Sequence, residues 1–290
     1  MTKNIKSNLI LTLLFTLLIL CIKDSNLIIK EFLNYTNLFI TKLFPAVFII
    51  YILSDLLINY GIINVLQKIT KYPTTIYILI IGLISGFPSG PKTIKDLKNK
   101  EFISEEESNK LIKYTHFPNP IFLFSTISLI TKNISIIYIS IILSNLIILI
   151  INKPKSNNKL PNIKEQDFTI TLSNSIIKTL KIIILIYGTS IFFYLISVII
   201  LKYLNNQDLY ILINILFDLT KGITTVSLIN NQILKDLVII LLLTISPLNI
   251  NIQIKSILSD TNIKYINFIK GRTISFILTI SFYFILTKIS

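Results

Sequence analysis

The sequence predicts an all-α polytopic integral membrane protein, a helical bundle of two pseudo-repeated halves with Gly/Pro-broken half-helices. Three observations carry that reading. The 290-residue chain is 52% hydrophobic with a mean hydropathy of +0.74 and is only 14% charged, where a soluble domain is nearer one quarter charged. Several apolar segments have the length of membrane spans. Two others stop abruptly at clusters of glycine, proline and serine, too short to cross a bilayer unaided.

In chain order, Lys3 and Lys6 precede an apolar stretch from Leu9 to Ile22. It has the outline of a signal peptide. No small-x-small cleavage site follows, so a retained first helix is expected. Spans are expected at Leu43–Ile63, Ile134–Ile151, Ile176–Leu201 and Ile266–Leu286. The half-helices are Thr75–Leu83, which runs into Ser85-Gly-Phe-Pro-Ser-Gly90, and Leu237–Ile245, which ends at Ser246-Pro247. Counting half-helices, this amounts to about seven or eight hydrophobic passes.

After the first break, the segment 92–113 mixes lysines with Asp96 and Glu101, Glu105, Glu106 and Glu107, which reads as a solvated helical hairpin. Ser104 followed by Glu107 has the spacing of a capping box, so a new helix is expected there. Asn251 to Lys264 is a similar, less charged stretch. The segment 152–168 is a polar linker with two prolines and four lysines, a composition that favours the cytoplasmic side. It divides an N-terminal membrane half, 1–151, from a C-terminal half, 169–290. The N-terminal flanks do not decide an orientation.

The halves share an order of features: a buried acid, a glycine, a half-helix, a Ser/Pro break, and an Ile-Lys pair in the helix beyond. In the first, Asp55 is followed by Gly61 and, 30 residues on, by Ser85; in the second, Asp218 is followed by Gly222 and, 28 residues on, by Ser246. Interrupted apolar segments in corresponding positions are the sequence pointer to a transporter-type site.

That site is expected at the breaks. Gly82, Gly86 and Gly90 with Pro88 and Pro91 cannot continue a regular helix, and backbone freed at membrane depth must be satisfied by protein or by water in a cavity. A helix beginning after the break would aim its N-terminal N–H groups and Lys92 at one spot, which suits a small polar or anionic solute. Ser85, Gly86, Pro88, Ser89 and Lys92 are therefore candidate solute-binding residues. Asn119, in the second break His116-Phe-Pro-Asn-Pro120, and Asn249, after the third, join them. The competing reading is a tight turn with no ligand. Asp55 and Asp218 are candidates for bracing or coupling. Lys221, three residues after Asp218, offers that acid a local ion pair, whereas Asp55 has no basic neighbour of that kind.

Other classes are disfavoured. One cysteine and one histidine leave no disulfide framework and no metal site. No catalytic residue, nucleophile elbow or nucleotide-binding glycine pattern is recognisable, and no cofactor is implied. The surplus of 28 Lys+Arg over 14 Asp+Glu is assigned to loops and the lipid bilayer rather than to nucleic acid.

At these motifs the chain resembles the YlbJ-like sporulation integral membrane proteins, within the wider nucleoside-recognition or Gate-domain group. The stretches that carry the resemblance are Leu43-Phe-Pro45 leading to Asp55 and Gly61, then Ser85-Gly-Phe-Pro-Ser-Gly-Pro-Lys92 and His116-Phe-Pro-Asn-Pro-Ile-Phe122. Asp218-Leu-Thr-Lys-Gly222 and the region from Gln253 to Arg272 complete it. Pro91, Asp218 and Ser246-Pro-Leu-Asn249 depart from the family, which tends to have a small residue, a Glu and a Gly-Gly pair there. The resemblance implies a multi-pass cell-membrane protein of endospore formation. Its expected partners are other sporulation membrane proteins or further copies of itself, with either passage of a small polar solute or a scaffolding role.

Overall fold

The computed structural model describes residues 2–153, 167–204 and 206–289, and among them the chain is helical with no strand. The first half contains α1 (Thr2–Lys23), α2 (Ser25–Leu38), a π-helical turn at Phe39–Leu43, α3 (Phe44–Asn59), α4 (Ile62–Gln67), α5 (Pro73–Ser85), α6 (Ser89–Asn99), α7 (Glu105–Leu111), α8 (Pro120–Thr126) and α9 (Ile134–Ile151). The second contains α10 (Phe168–Lys202), α11 (Gln207–Phe217), α12 (Leu219–Val226), α13 (Gln232–Thr244), α14 (Leu248–Leu258) and α15 (Tyr265–Ile289). Four stretches are long and apolar enough to cross a membrane: α9, α10, α15, and α13 with α14 as one 27-residue span, Gln232–Leu258. A fifth is formed if Ser7–Lys23 and Ser25–Thr41, bent by 92°, are taken together. The protein is thus a multi-pass, all-α membrane protein whose outward Leu, Ile and Phe side chains face lipid.

The helices on either side of the first and third breaks have matching lengths. Both α5 and α13 have 13 residues, and both α6 and α14, which follow the breaks, have 11. The two units are used differently. α5 and α6 pack against each other as a hairpin, whereas α13 and α14 continue into one span. The expected half-helix at Leu237–Ile245 is therefore the first part of a crossing helix rather than a hairpin arm. Its break carries a single proline, Pro247, where the first carries Gly86, Pro88, Gly90 and Pro91.

α10 is the backbone of the bundle. The chain from Asp24 to Tyr60 runs antiparallel along it: Tyr35 lies 4.8 Å from Tyr194, Phe39 4.9 Å from Tyr187 and Tyr60 6.3 Å from Phe168, ring centre to ring centre. Asp24 pairs with Lys202 at the far end. Against this pair sit α14 and α6, while α9 and α15 form a second closely packed pair. Ser144 is bonded to Ser275 at 3.0 Å and to Thr279 at 3.0 Å; such small polar residues let membrane helices approach closely.

One end of the bundle gathers the charged loops. Lys113 Nζ donates to Asn152 Oδ1 at 2.8 Å, Thr74 Oγ1 to Glu107 Oε1 at 3.4 Å, and Lys95 pairs with Asp260 at 2.7 Å. The ion-paired hydrogen bond from Lys95 holds the Asp260 carboxyl below its usual range. Ser104 Oγ accepts from Glu107 N at 3.2 Å and opens α7, as the capping-box spacing predicts. The expectation of a solvated hairpin over 92–113 is corrected in its first part: Lys92, Thr93, Ile94 and Leu97 are buried, because α6 packs against α3, α5 and α14. Within that segment the exposed acids, Glu101, Glu105 and Glu106, lie on α7 and its flank.

Candidate functional site

Ser85 closes α5, and its hydroxyl donates to Ile81 O at 2.7 Å. Gly86 then takes φ +73°, a left-handed conformation that favours glycine, and a Cβ there would run into the backbone of Asn119. The Phe87–Pro88 peptide is cis, and the Ser89 hydroxyl donates to Gly86 O as α6 begins. A Cβ on Gly90 would strike the carbonyl oxygen of Thr115. The glycines thus let the extended segment Thr115–Asn119 lie directly across the first break.

Asn119 ties the two breaks together. Its Nδ2 donates to Ser85 O at 3.0 Å, taking up a carbonyl freed by the end of α5, and its Oδ1 caps α8 by accepting from Phe122 N at 3.1 Å. The third break joins through His116, whose Nε2 lies 2.9 Å from Ser246 Oγ while its ring stacks on Phe87 at 4.6 Å. Beneath them Arg272, fully buried, donates to His116 O, Lys113 O and Asn145 Oδ1 at 3.2, 2.6 and 3.0 Å. All three breaks therefore meet.

Lys92 lies inside the bundle, 2.9 Å from Asp96 and 3.4 Å from Tyr51 O, with its ammonium 5.2 Å from the Tyr51 ring centre. Nearby, Asp55 accepts from Ser175 Oγ at 2.6 Å and Asn59 Nδ2 at 3.2 Å, and pairs with Lys100 at 3.2 Å and Lys178 at 3.6 Å. The basic partners that Asp55 lacks locally are supplied by α10 and by the end of α6. Asp55 thus bonds from α3 to α10 and to the end of α6.

Asp218 has a different environment. The chain breaks there, and its Oδ1 accepts from Lys221 N at 2.8 Å as the N-cap of α12. What Lys221 offers is its backbone N–H; its ammonium lies 5.9 Å from the Tyr194 ring centre. Asp218 Oδ2 accepts from Asn249 Nδ2 at 2.8 Å and Tyr35 Oη at 3.4 Å. Asn249 also reaches Ser190 Oγ at 3.3 Å, which accepts in turn from Gln253 at 2.9 Å. Asn249 is thus about the second acid, while Ser85, Gly86, Pro88, Ser89, Lys92 and Asn119 are about the first two breaks.

The sequence reading missed Tyr51, Thr93 and Thr179, which are buried and whose hydroxyls have no partner; Gln253 Oε1 is in the same condition. They stand on α3, α6, α10 and α14, which pack in a ring: α3 on α6, α6 on α14, α14 on α10 and α10 on α3. It missed Asp236 as well, since an acid one turn into an apolar helix, after Lys235, reads as an interfacial charge. Among the described residues no group of three or more His, Cys, Asp or Glu could hold a metal ion.

These features define a multi-pass membrane protein with a polar junction at its helix breaks. Over 94 residues the chain is 31% identical to the sporulation integral membrane protein YlbJ of Bacillus subtilis (strain 168), a match that takes in 29% of this chain and 23% of that protein. The chain therefore matches less than a quarter of its relative's length. No family model matches the chain, and no solved structure does.

Proposed function

We propose that the chain is a sporulation-associated membrane protein whose helix-break junction binds or passes a small polar solute, an anion by preference. The sporulation role rests on the likeness to YlbJ. The solute reading rests on one observation: Tyr51 Oη, Thr93 Oγ1, Thr179 Oγ1 and Gln253 Oε1 are buried without partners on the ring of helices α3, α6, α10 and α14, of which α6 carries Lys92. Each orphaned group costs about 1–3 kcal/mol unless water or a guest satisfies it. The local charge favours an anion, with Lys92, Lys100 and Lys178 set against Asp55 and Asp96.

A scaffold reading has its own support. Ser85, Ser89 and Asn119 spend their polar groups on nearby backbone carbonyls, those of Ile81, Gly86 and Ser85. The exposed acids of α7 line an open cavity of about 440 Å³ with Lys113, Lys264 and Asn267, a surface suited to a protein partner.

The deciding experiment is thermal melting of the purified protein in detergent against nucleosides, small carboxylates and phosphate. A ligand bound only to the folded state at 100 times its Kd adds about 2.7 kcal/mol. The solute reading expects a stabilising ligand whose effect is lost in Lys92→Ala and weakened in Tyr51→Phe, which removes one unpartnered hydroxyl. A folded protein that none of these compounds stabilises refutes it. The scaffold reading then expects a co-purifying membrane protein that is lost on reversing Glu105 and Glu106.

A further inference from the structure

At the opposite end of the bundle from the charged loops, α9 and α13 begin and α15 ends. There Asp236, fully buried, accepts from Asn133 Nδ2 at 2.7 Å, Tyr283 Oη at 2.7 Å and Gln232 Nε2 at 3.1 Å. Gln232 also donates to Thr131 Oγ1 at 3.0 Å. Thr131, Asn133 and Gln232 in turn line a cavity of about 500 Å³ that opens to the surface.

Asp236 differs from the other buried acids of the described residues. Asp24 pairs with Lys202, and Asp55 with Lys100 and Lys178. Glu107 lies in the first turn of α7 and Asp218 caps α12, where the helix dipole favours negative charge. Asp236 is past the first turn of α13, whose N-terminus is capped by Asn231. Among the described residues no basic side chain comes within ion-pair distance of it; Lys132, which lines the same cavity, is exposed. Three neutral donors soften the burial of a carboxylate without cancelling its charge.

We infer that this cluster is a binding site for a small monovalent cation, an alkali-metal ion or an ammonium group. One carboxylate balances one positive charge. The hydroxyls of Thr131 and Tyr283 and the amide oxygens of Asn133 and Gln232, presented by a half-turn of each amide, complete a set of hard oxygen ligands. The cavity over Thr131, Asn133 and Gln232 is the route of entry.

The test is melting of the full-length protein in detergent at constant ionic strength, with lithium, sodium, potassium or methylammonium chloride replacing choline chloride. The site predicts a saturable rise of roughly 5 °C or more with one of these ions. A response to an alkali-metal ion or to methylammonium distinguishes the two sources of charge. Asp236→Asn, which retains shape and hydrogen bonding, abolishes the response, and Thr131→Val weakens the apparent affinity roughly tenfold. Equal melting in all five salts overturns the inference, as does an undiminished response in Asp236→Asn. Should that variant not fold, an unchanged affinity in Thr131→Val overturns it instead.

Discussion

Replacing Asp218 with alanine separates bracing from coupling at the second acid. The substitution removes the N-cap of α12, the bond from Asp218 Oδ1 to Lys221 N, which costs about 1 kcal/mol. It also strips Asn249 Nδ2 of its 2.8 Å acceptor and leaves it only the longer contact to Ser190, a loss of about 1–3 kcal/mol for a buried donor. The sum, about 2–4 kcal/mol, corresponds to a fall of about 5–15 °C in melting temperature for a chain of this size. Asp218→Asn keeps a capping oxygen but turns an amide toward the Asn249 amide, so its loss is nearer 1 kcal/mol. The assay is thermal unfolding in detergent followed with a thiol-reactive dye, Cys21 being the single cysteine. Bracing predicts the order wild type, Asn, Ala. An alanine variant that melts within a degree of wild type refutes the capping argument and leaves Asp218 to a coupling role.

Gly90→Ala drives a Cβ into the Thr115 carbonyl, and forced overpacking of this kind costs about 1–3 kcal/mol; the matched control Gly188→Ala meets no atom within 4 Å and gains up to about 1 kcal/mol of helix propensity. Opposite shifts in their melting temperatures are expected, and a neutral Gly90→Ala contradicts the close crossing. Asp55→Ala leaves two lysines unpaired, but Lys100 and Lys178 are 24% and 50% exposed, so the loss is about 2 kcal/mol rather than the 3–5 of a fully buried pair. Adding Lys100→Ala to it should cost less than the two single changes together, a coupling that a double-mutant cycle of melting curves measures.

Much of this molecule was legible in its sequence because its strongest signals are local. Apolar length marks the spans, glycine and proline mark the breaks, and Ser104 with Glu107 marks the start of α7. What was not legible depends on distance along the chain. The lysines that hold Asp55 lie 45 and 123 residues beyond it, and Asn249 reaches back to Asp218. Nothing in Leu237–Ile245 distinguishes an arm of a hairpin from the first part of a crossing helix, since that depends on packing beyond the break. Tyr51, Thr93 and Thr179 sit in apolar segments whose periodicity does not say which face meets a neighbour. Asp236 was masked by the lysine beside it.

The crossing of Thr115–Asn119 over the first break has a consequence for the order of synthesis. When Ser85 is added to the chain, the amide that will satisfy its carbonyl, that of Asn119, is still 34 residues from being made, and Arg272, which fixes the crossing segment, comes 187 residues after Ser85. Until then the hairpin carries bare polar backbone that hydrocarbon does not tolerate. Its polar contacts can be completed only after the segments that follow it in the chain, up to Arg272, have been made.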